Sequence, residues 1–282
     1  MSYSAEISRD NPTALIFVID QSLSMREEMR AGTSKAQFVS TILNRTFSTL
    51  IGLSTKEANQ PPRHYFDIGV VAYGSGETVV SPGFKGALGG QYIHSISDIA
   101  NNVLRVEERE KRFVDDTGEV TAVKSKFRVW VDPVAEGGTP MRAAMEDVAG
   151  LVAEWCDSHP NSFPPTVLHV TDGESQDGDP EQNAEVIRSL GTNDGNVLLY
   201  NLHVSGPNRE IYFPSNEREL PSPYGQMLFR MSSELPAHAV GLAKTKGFAV
   251  EDGCRGMMFN AGAELIADFF EIGTRPRLIA PR

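Results

Sequence analysis

The stretch that decides the fold is residues 14–24, which read ALIFVIDQSLS. Its first six residues are apolar and rich in β-branched side chains. A run of this kind is too short for a typical helix and predicts a strand that is buried on both faces of a sheet. The strand ends at Asp20, and Ser22 and Ser24 follow at alternate positions. The stretch therefore predicts a core strand that carries carboxylate and hydroxyl oxygens at its carboxyl end.

Buried-strand patterns alternate with amphipathic helix patterns along the rest of the chain. Such alternation is typical of βαβ units with right-handed crossovers. We therefore predict an α/β fold, with a doubly wound, mostly parallel, Rossmann-like sheet and helices on both of its faces. The further strands are predicted over 65–73, 166–171, 196–204 and 256–260, and the helices over 34–51, 139–157, 179–190 and 263–272.

Two stretches interrupt this alternation. In residues 84–127, alternating strand patterns flank the turn sequence DDTG, which predicts a β-hairpin. Residues 207–236 are rich in proline and serine and are expected to form a long loop with one short helix. We expect a single domain over 1–282 with its core at about 13–273, the two stretches as insertions, and a loosely held tail at 274–282.

The chain has 282 residues, with 26 Lys and Arg against 37 Asp and Glu, which is a formal net charge of -11. This acidic balance argues against non-specific nucleic-acid binding, which needs cationic side chains to displace counterions. No run approaches the ~18 apolar residues of a membrane span, and the first residues show no apolar signal core. Cys156 and Cys254 are too few for a disulfide framework, and whether they pair is left open. We expect reduced thiols and a cytoplasmic location.

Polar oxygens are predicted to gather at one edge of the sheet. Thr139 follows two glycines at the start of a predicted helix, and Asp172 follows the strand over 166–171. Ligands of open α/β sheets bind outside the carboxyl ends of the strands, so these residues should meet the oxygens that follow the first strand. The full set is Asp20, Ser22, Ser24, Thr139 and Asp172. Hard oxygens of this kind suit Mg²⁺, with Mn²⁺ or Ca²⁺ as substitutes.

Four neighbours of this set are predicted to form a rim that a partner contacts. They are Gln21, Gly138, Glu174 and Asp177. Neutral hydroxyls donate little charge, so a divalent ion that they hold should remain electrophilic. The set therefore predicts a metal site that favours an external carboxylate in a vacant position.

The pattern DxSxS after the first strand, a threonine after Gly-Gly and an Asp-Gly pair after an apolar strand together resemble a known site. It is the metal-ion-dependent adhesion site (MIDAS) of von Willebrand factor type A (VWA) domains. All five motif positions are present, and the order of strands and helices fits. The resemblance implies direct metal contacts from Ser22, Ser24 and Thr139, and direct or water-mediated contacts from Asp20 and Asp172.

This resemblance also implies a function. VWA domains use such a site to bind a partner protein whose Asp or Glu completes the metal coordination, so we expect an interaction module and not an enzyme. Similar intracellular domains serve as adaptors for ATPases, kinases or phosphatases, and an adaptor or regulatory subunit is the expected role. In members of the family that switch, the last helix responds to metal occupancy. Here that helix is predicted over 263–272.

Other interpretations of the same residues stay open. Ser22 and Ser24 are also suitable turn residues, and Thr139 is a suitable helix N-cap. Asp20 at a strand end could be the nucleophile of a Mg²⁺-dependent phosphohydrolase, although enzymes of the haloacid-dehalogenase type carry an acid where this chain has Ser22. A structural subunit with a vestigial metal site is the third interpretation. His169 is interpreted as a core residue, because no neighbouring histidine has the spacing of a zinc pair.

Over half of the net charge lies beside the predicted site. Residues 172–185 contain six acidic residues and no Lys or Arg. An acidic rim attracts a cation and repels an acidic partner. We therefore expect a protein partner that presents one Asp or Glu from an otherwise neutral or basic surface.

Overall fold

Strands and helices alternate along the chain, which a computed structural model describes over residues 3–30, 32–57, 59–75, 79–114, 120–205 and 209–274. The strands are β1 Thr13–Asp20, β2 Glu28–Arg30, β3 Thr33–Ser34, β4 Phe66–Tyr73, β5 Val80–Pro82, β6 Ile93–Ser95, β7 Arg105–Val114, β8 Val120–Val129, β9 Thr166–Thr171, β10 Gly191–Thr192, β11 Gly195–Asn196, β12 Leu198–Val204, β13 Ile211–Tyr212 and β14 Met257–Ala261. The helices are α1 Lys35–Ser54, α2 Ile96–Asn101, α3 Met141–Ser158, α4 Glu181–Ser189, α5 Pro223–Met231, α6 Ala237–Thr245 and α7 Ala263–Thr274.

The central sheet has eight strands within these ranges, in the order β13-β14-β12-β9-β1-β4-β5, and β6 also pairs with β4. The inner strands β14, β12, β9, β1 and β4 pair in parallel. The outer strands β13, β5 and β6 pair antiparallel. A mixed, mostly parallel sheet confirms the predicted α/β class and is compatible with a Rossmann-like fold.

Strand β1 shows why helices cover both faces of the sheet. All eight of its residues are buried, and successive side chains point to opposite faces. One set, which includes Phe17, packs in a core with α1, α2, α6 and α7, and the other set, which includes Ile16, packs in a core with α3, α4 and α5. Two hydrophobic cores of this kind leave the strand ends as the places where polar groups of the sheet can gather.

Helix α1 begins where its sequence predicts. The Ser34 hydroxyl accepts the backbone N–H of Gln37, and the Gln37 side chain accepts the backbone N–H of Ser34, so the two residues form a capping box. The helix ends at Ser54, three residues beyond the predicted end, and the Ser54 hydroxyl donates to the carbonyl oxygen of Leu50. Strand β9 has the predicted bounds.

The two interrupting stretches carry regular structure, an antiparallel strand pair in the first and the helix α5, close to the short helix expected there, in the second. β7 and β8 pair antiparallel along ten residues each, and the turn between them, 115–119, lies outside the described residues. After the second stretch comes α6, which sequence patterns did not predict because its apolar face is weak and Gly241 lies inside it. The predicted tail lies outside the described residues from 275 onward.

Within the described ranges, no helix combines the length and the apolar character that a membrane crossing requires.

Candidate metal centre

The candidate centre lies at the carboxyl edge of the sheet, where the strand order reverses. β1 has β4 on one side and β9 on the other, so the loops after β1 and β9 leave the sheet side by side. Asp20 ends β1 and Asp172 directly follows β9. The topology thus brings the two predicted carboxylates to the usual ligand position of an open α/β sheet.

Three oxygens of the predicted set lie in a row. Ser22 Oγ is 3.1 Å from Ser24 Oγ, and Ser24 Oγ donates to Asp172 Oδ1 at 2.7 Å. An octahedron with metal–oxygen bonds of about 2.1 Å has edges of about 3.0 Å. The two observed separations bracket that edge, so this donor set fits a small divalent cation such as Mg²⁺.

Asp20 lies behind this row and is fully buried. Its Oδ1 accepts the backbone N–H of Ser22 at 2.8 Å, and its Oδ2 accepts the hydroxyl of Thr171 at 2.8 Å. Burial is the main cause that raises the pKa of Asp20 to about 6, and the charge of Asp172 acts in the same direction. Because both carboxylate oxygens already accept protein donors, Asp20 holds the loop that presents Ser22.

Thr139 does not cap the helix that follows it. The N-cap of α3 is Pro140, and no side-chain bond caps the helix. The hydrogen bonds of Thr139 in the described chain come from its backbone, whose N–H donates to Gln176 Oε1 at 3.1 Å. A Cβ added at Gly173 would lie 3.8 Å from both Thr139 Oγ1 and Ser24 Oγ. The N-cap interpretation of Thr139 is therefore wrong, and its hydroxyl flanks the same point as Ser24.

Two loops at this edge approach so closely that only glycine fits. Gly74 follows β4 with a φ of +93°, and a Cβ there would lie 2.3 Å from the carbonyl oxygen of Gly138 and 3.2 Å from the backbone nitrogen of Ser22. Gly137 has a φ of +70°, and its carbonyl accepts the N–H of Leu23 at 3.0 Å. These contacts bring the loop that carries Thr139 against the loop that carries the two serines.

The four predicted rim residues differ in their surroundings. Gln21 is only 6% exposed, and its Oε1 accepts the hydroxyl of Ser75, so it braces the loop and does not face a partner. The carbonyl of Gly138 lies against Gly74. Asp177 accepts two backbone N–H groups in the first turn of α3, at 2.9 and 2.8 Å. Glu174 is exposed beside the site, where a partner can reach it.

Sequence reasoning missed Lys35, the first residue of α1. Its Nζ donates to Asp172 Oδ2 at 2.8 Å and to Glu27 Oε2 at 2.7 Å. Burial opposes the charge of Lys35, but the hydrogen bonds and charges of Asp172 and Glu27 outweigh it and raise the pKa of Lys35. A lysine in the first turn opposes the helix dipole. That unfavourable position is the signal from which a compensating acid could have been inferred.

The centre is rich in hydroxyls and low in charge. Its two carboxylates are Asp20 and Asp172, and an internal ammonium compensates the second. Within the described residues, no three His, Cys, Asp or Glu side chains form a group suited to a metal. The candidate set belongs to a different class, because it combines two carboxylates with three hydroxyls.

A buried polar chain crosses the sheet behind the centre. His169 Nδ1 lies 2.8 Å from Asn201 Oδ1, and His169 Nε2 lies 2.8 Å from the hydroxyl of Tyr73. Since the amide oxygen of Asn201 only accepts, Nδ1 carries the proton and the Tyr73 hydroxyl donates to Nε2. Burial lowers the pKa of His169 to about 4. The interpretation of His169 as a core residue is confirmed.

Comparisons with known proteins add a distant structural likeness. No family model matches the chain, and no curated protein matches it. Among solved structures, the chain is similar to the pilus adhesin SpaC from Lactobacillus rhamnosus GG, with 11% identity and a TM-score of 0.45. The likeness covers 93% of this chain and 30% of the adhesin chain, so the chain spans under a third of the adhesin's length. At this identity and score, the likeness assigns neither a family nor a function.

Proposed function

We propose that this chain is a VWA-type interaction module, an adaptor or regulatory subunit that binds a partner carboxylate through a MIDAS-type Mg²⁺ site. Ser22, Ser24, Thr139 and Asp172 supply the metal ligands in this proposal, and Asp20 orients the loop that carries the serines. Mn²⁺ or Ca²⁺ are substitutes for Mg²⁺. The metal, when bound, supplies an electrophilic position for an external oxygen ligand.

The row of oxygens at the carboxyl edge is the observation that carries the proposal. The separations of 3.1 Å between Ser22 Oγ and Ser24 Oγ and 2.7 Å between Ser24 Oγ and Asp172 Oδ1 are those of neighbouring ligands on a small cation. The hydroxyl of Thr139 flanks the same point and makes no hydrogen bond elsewhere in the described chain. A hydroxyl held in place without a partner is available as a ligand.

The charge of the centre supports an external carboxylate as a further ligand. Two carboxylates bring two negative charges, and the ammonium of Lys35 offsets the charge of Asp172. A divalent cation in this set keeps a net positive charge, so it favours an anionic oxygen from outside the chain. This charge count supports an acidic side chain, Asp or Glu, as the group that the partner presents.

The acidic segment beside the centre is less negative in the fold than its sequence indicates. Asp172 pairs with Lys35, and Glu181 pairs with Arg230. The carboxylate of Asp177 accepts backbone N–H groups of α3. These contacts reduce the repulsion of an approaching acid, and they support a partner whose surface is neutral or basic around its one carboxylate.

The proposal also includes a location and a class of partner. Cys156 and Cys254 are both buried and unpaired, and burial raises the pKa of the Cys156 thiol to about 11. Unreactive, reduced thiols support a cytoplasmic location. The partners in this proposal are subunits of an ATPase, kinase or phosphatase, and they include neither nucleic acid nor membrane.

Asp20 favours binding over phosphohydrolase chemistry. A nucleophilic carboxylate needs an oxygen that can reach the substrate. Both oxygens of Asp20 accept protein donors, and the residue is fully buried. An assay with an aryl phosphate and Mg²⁺ should therefore show no turnover. Metal-dependent hydrolysis that disappears in Asp20→Asn would instead support the enzyme.

Thr139→Val tests the metal site most sharply. Because the Thr139 hydroxyl has no hydrogen bond in the described chain, the isosteric change should leave the fold intact and remove one ligand. Calorimetric titration should show Mg²⁺ binding to the wild type, binding weakened about tenfold or more in Thr139→Val, and none in Asp20→Ala. Thr49→Val is the matched control, since the hydroxyl of Thr49 is exposed on α1. Equal Mg²⁺ binding by wild type and Thr139→Val would contradict the assignment.

Affinity capture from the native source tests the partner. With Mg²⁺, the wild type should retain a protein that is lost with chelator and with Thr139→Val. Replacement of the partner's Asp or Glu by Asn or Gln should abolish the retention. If the partner is still retained with chelator and by Thr139→Val, the chain is instead a structural subunit with a vestigial metal site.

A further inference from the structure

A pocket of about 380 Å³ lies at the amino edge of the sheet, opposite the candidate metal centre. Leu198 lines it and is the first residue of β12, and Arg255 lines it just before β14 begins. Because β9, β12 and β14 are parallel, these strand starts lie at the far edge from Asp172. The volume is within the range of small-molecule sites, roughly 300–1,000 Å³.

Arg188, in the last turn of α4, lines this pocket and also carries an unused donor. Its Nε is buried and has no hydrogen-bond partner within the described residues. A buried donor without an acceptor costs about 1–3 kcal/mol, and more for a charged group. Native proteins retain such a group rarely, and each one requires an explanation.

Arg255 adds a second positive charge to the same pocket. Its Nη1 donates to the carbonyl of Ser232 at 3.1 Å, and its Nη2 lies 3.9 Å from Glu234, whose side chain is 63% exposed. Burial lowers the pKa of Arg188, and the charge of Arg255 lowers it further. The charges of Glu185 and Glu181 raise that pKa, so these two acids and the exposed Glu234 compensate part of the repulsion between the two guanidinium groups.

We propose that this pocket binds the oxyanion group of a small organic molecule, a phosphate ester or a carboxylate, between Arg188 and Arg255. Guanidinium groups match phosphate and carboxylate geometry with paired N–H donors. An oxyanion placed between the two guanidinium groups compensates their like charges and removes the repulsion between them. This inference rests on the pocket alone and is independent of the proposed metal site.

The other residues that line the pocket indicate what kind of molecule the oxyanion group belongs to. Tyr3, Val197, Leu198, Leu235 and Pro236 contribute apolar surface to it, beside the polar residues Asn196, Ser233 and Glu234. An apolar surface contributes to affinity through burial, at roughly 25 cal/mol per Å² of surface removed from water. The ligand is therefore an oxyanion on a compact apolar body, and inorganic phosphate binds more weakly than such a molecule.

Calorimetric titration of the full chain in chelator tests this site, because chelator removes any contribution from a metal. The probes are phenyl phosphate, benzoate and inorganic phosphate. We expect one of the two aromatic probes to bind more tightly than inorganic phosphate, and Arg188→Gln and Arg255→Gln each to weaken it about tenfold or more. Tighter binding of phenyl phosphate assigns a phosphate ester, and tighter binding of benzoate assigns a carboxylate.

Arg45→Gln is the matched control, because Arg45 is exposed on α1 and the charge change is the same. It should bind the probes as the wild type does. The melting temperature separates a binding role from a structural one. Without ligand, Arg188→Gln should melt at or above the wild-type temperature, because it removes a buried unpaired donor. No probe binding by the wild type, equal binding by Arg188→Gln, or a lowered melting temperature in Arg188→Gln alone would overturn the proposal.

Discussion

The two edges of the sheet differ in whether their buried charged groups have partners. At the carboxyl edge, Asp172 pairs with Lys35, and Asp20 accepts hydrogen bonds from Ser22 and Thr171. At the amino edge, the buried Nε of Arg188 finds no partner among the described residues. Both edges belong to one sheet, but the centre lies at the ends of β1 and β9 and the pocket at the starts of β12 and β14. The cations that distinguish the two edges come from helices, Lys35 from α1 and Arg188 from α4.

The two edges should therefore respond differently to a ligand. A centre whose charges are already paired is stable without a ligand, and a ligand must replace internal hydrogen bonds to enter it. A pocket that holds two like charges close together is destabilised until an anion lies between them, so a ligand adds stability to the whole fold. Single substitutions can convert one type of edge into the other, or measure how stable each edge is.

Lys35→Met should leave a buried charged group without a partner at the carboxyl edge, as is already the case at the amino edge. It leaves Asp172, whose side chain is fully buried, without its counter-charge. The free energy of unfolding in chelator should fall by about 4 kcal/mol, because removal of one partner strands a buried charge. Urea denaturation measures it, and Lys244→Met, on an exposed lysine of α6, should change stability by less than about 0.5 kcal/mol.

The same variant tests whether Lys35 and a metal compete for Asp172. Mg²⁺ should restore more stability to Lys35→Met than it adds to the wild type, because a cation then replaces the missing ammonium. Equal stabilisation of the two proteins by Mg²⁺ would show that Lys35 and the metal act independently.

Protonation of the buried His169 at low pH should lower the free energy of unfolding. Its pKa is about 4 in the fold against 6.5 for a free histidine, so the unfolded chain binds the proton more readily. The stabilising contribution is complete above pH 6.5 and is lost as the pH falls through 6.5 toward 4, and at about 1.4 kcal/mol per pKa unit it amounts to roughly 3 kcal/mol. Urea denaturation across this range should show a smaller pH dependence in His169→Gln. If His169→Gln showed the same pH dependence as the wild type, the effect would arise from other titratable groups.

Gly74→Ala tests how tightly the loops of the carboxyl edge are packed. Gly74 and Gly247 both have left-handed φ angles, +93° and +88°, but only at Gly74 would a Cβ meet another loop. Gly247→Ala should therefore cost about 1 kcal/mol of strain, and Gly74→Ala roughly 2–3 kcal/mol. Gly74→Ala should also weaken Mg²⁺ binding, because the alanine pushes Gly138 and Ser22 apart. Equal melting temperatures for the two variants would contradict this close approach.

Arg230→Gln should have the smallest effect. Arg230 bridges Glu181 and Glu217, but the side chains of all three residues are substantially exposed. Surface ion pairs contribute about 0–1 kcal/mol, so the melting temperature should change little. The variant leaves Glu181 unpaired and makes the acidic segment more negative, which should slow the association of an acidic partner at low salt. A large loss of stability would show that this surface pair contributes as a buried one does.

Local signals made much of the fold predictable. The bounds of β9 and the capping box of α1 depend on residues within a few positions of each other. The oxygens of the candidate site could be named because strand ends are visible in the sequence and parallel strands share an edge. Helix α6 was missed because its local pattern is weak, and it forms through packing that no short window of sequence contains.

The sequence alone could not predict the partners of the site. Lys35 and Asp172 are 137 positions apart, and Thr139 and Gln176 are 37 apart. Gln21 follows Asp20 directly and is predicted to lie on the rim, yet it is buried and accepts a hydrogen bond from Ser75 of another loop. Each of these facts depends on which loops meet, and loops far apart in sequence leave no local trace of their contact.

Periodicity and strand ends are local properties, so the α/β class and the oxygens at the carboxyl edge can be inferred from the amino-acid sequence. Which charges are compensated depends on contacts that form only in the folded chain. The tertiary structure placed an ammonium on Asp172 and brought Arg188 and Arg255 to one pocket. Among the residues that the structure describes, it gave no partner to the hydroxyl of Thr139 or to the buried Nε of Arg188. The physical reason is that the energy of a charge depends on its burial and on its nearest neighbours, and folding alone sets both.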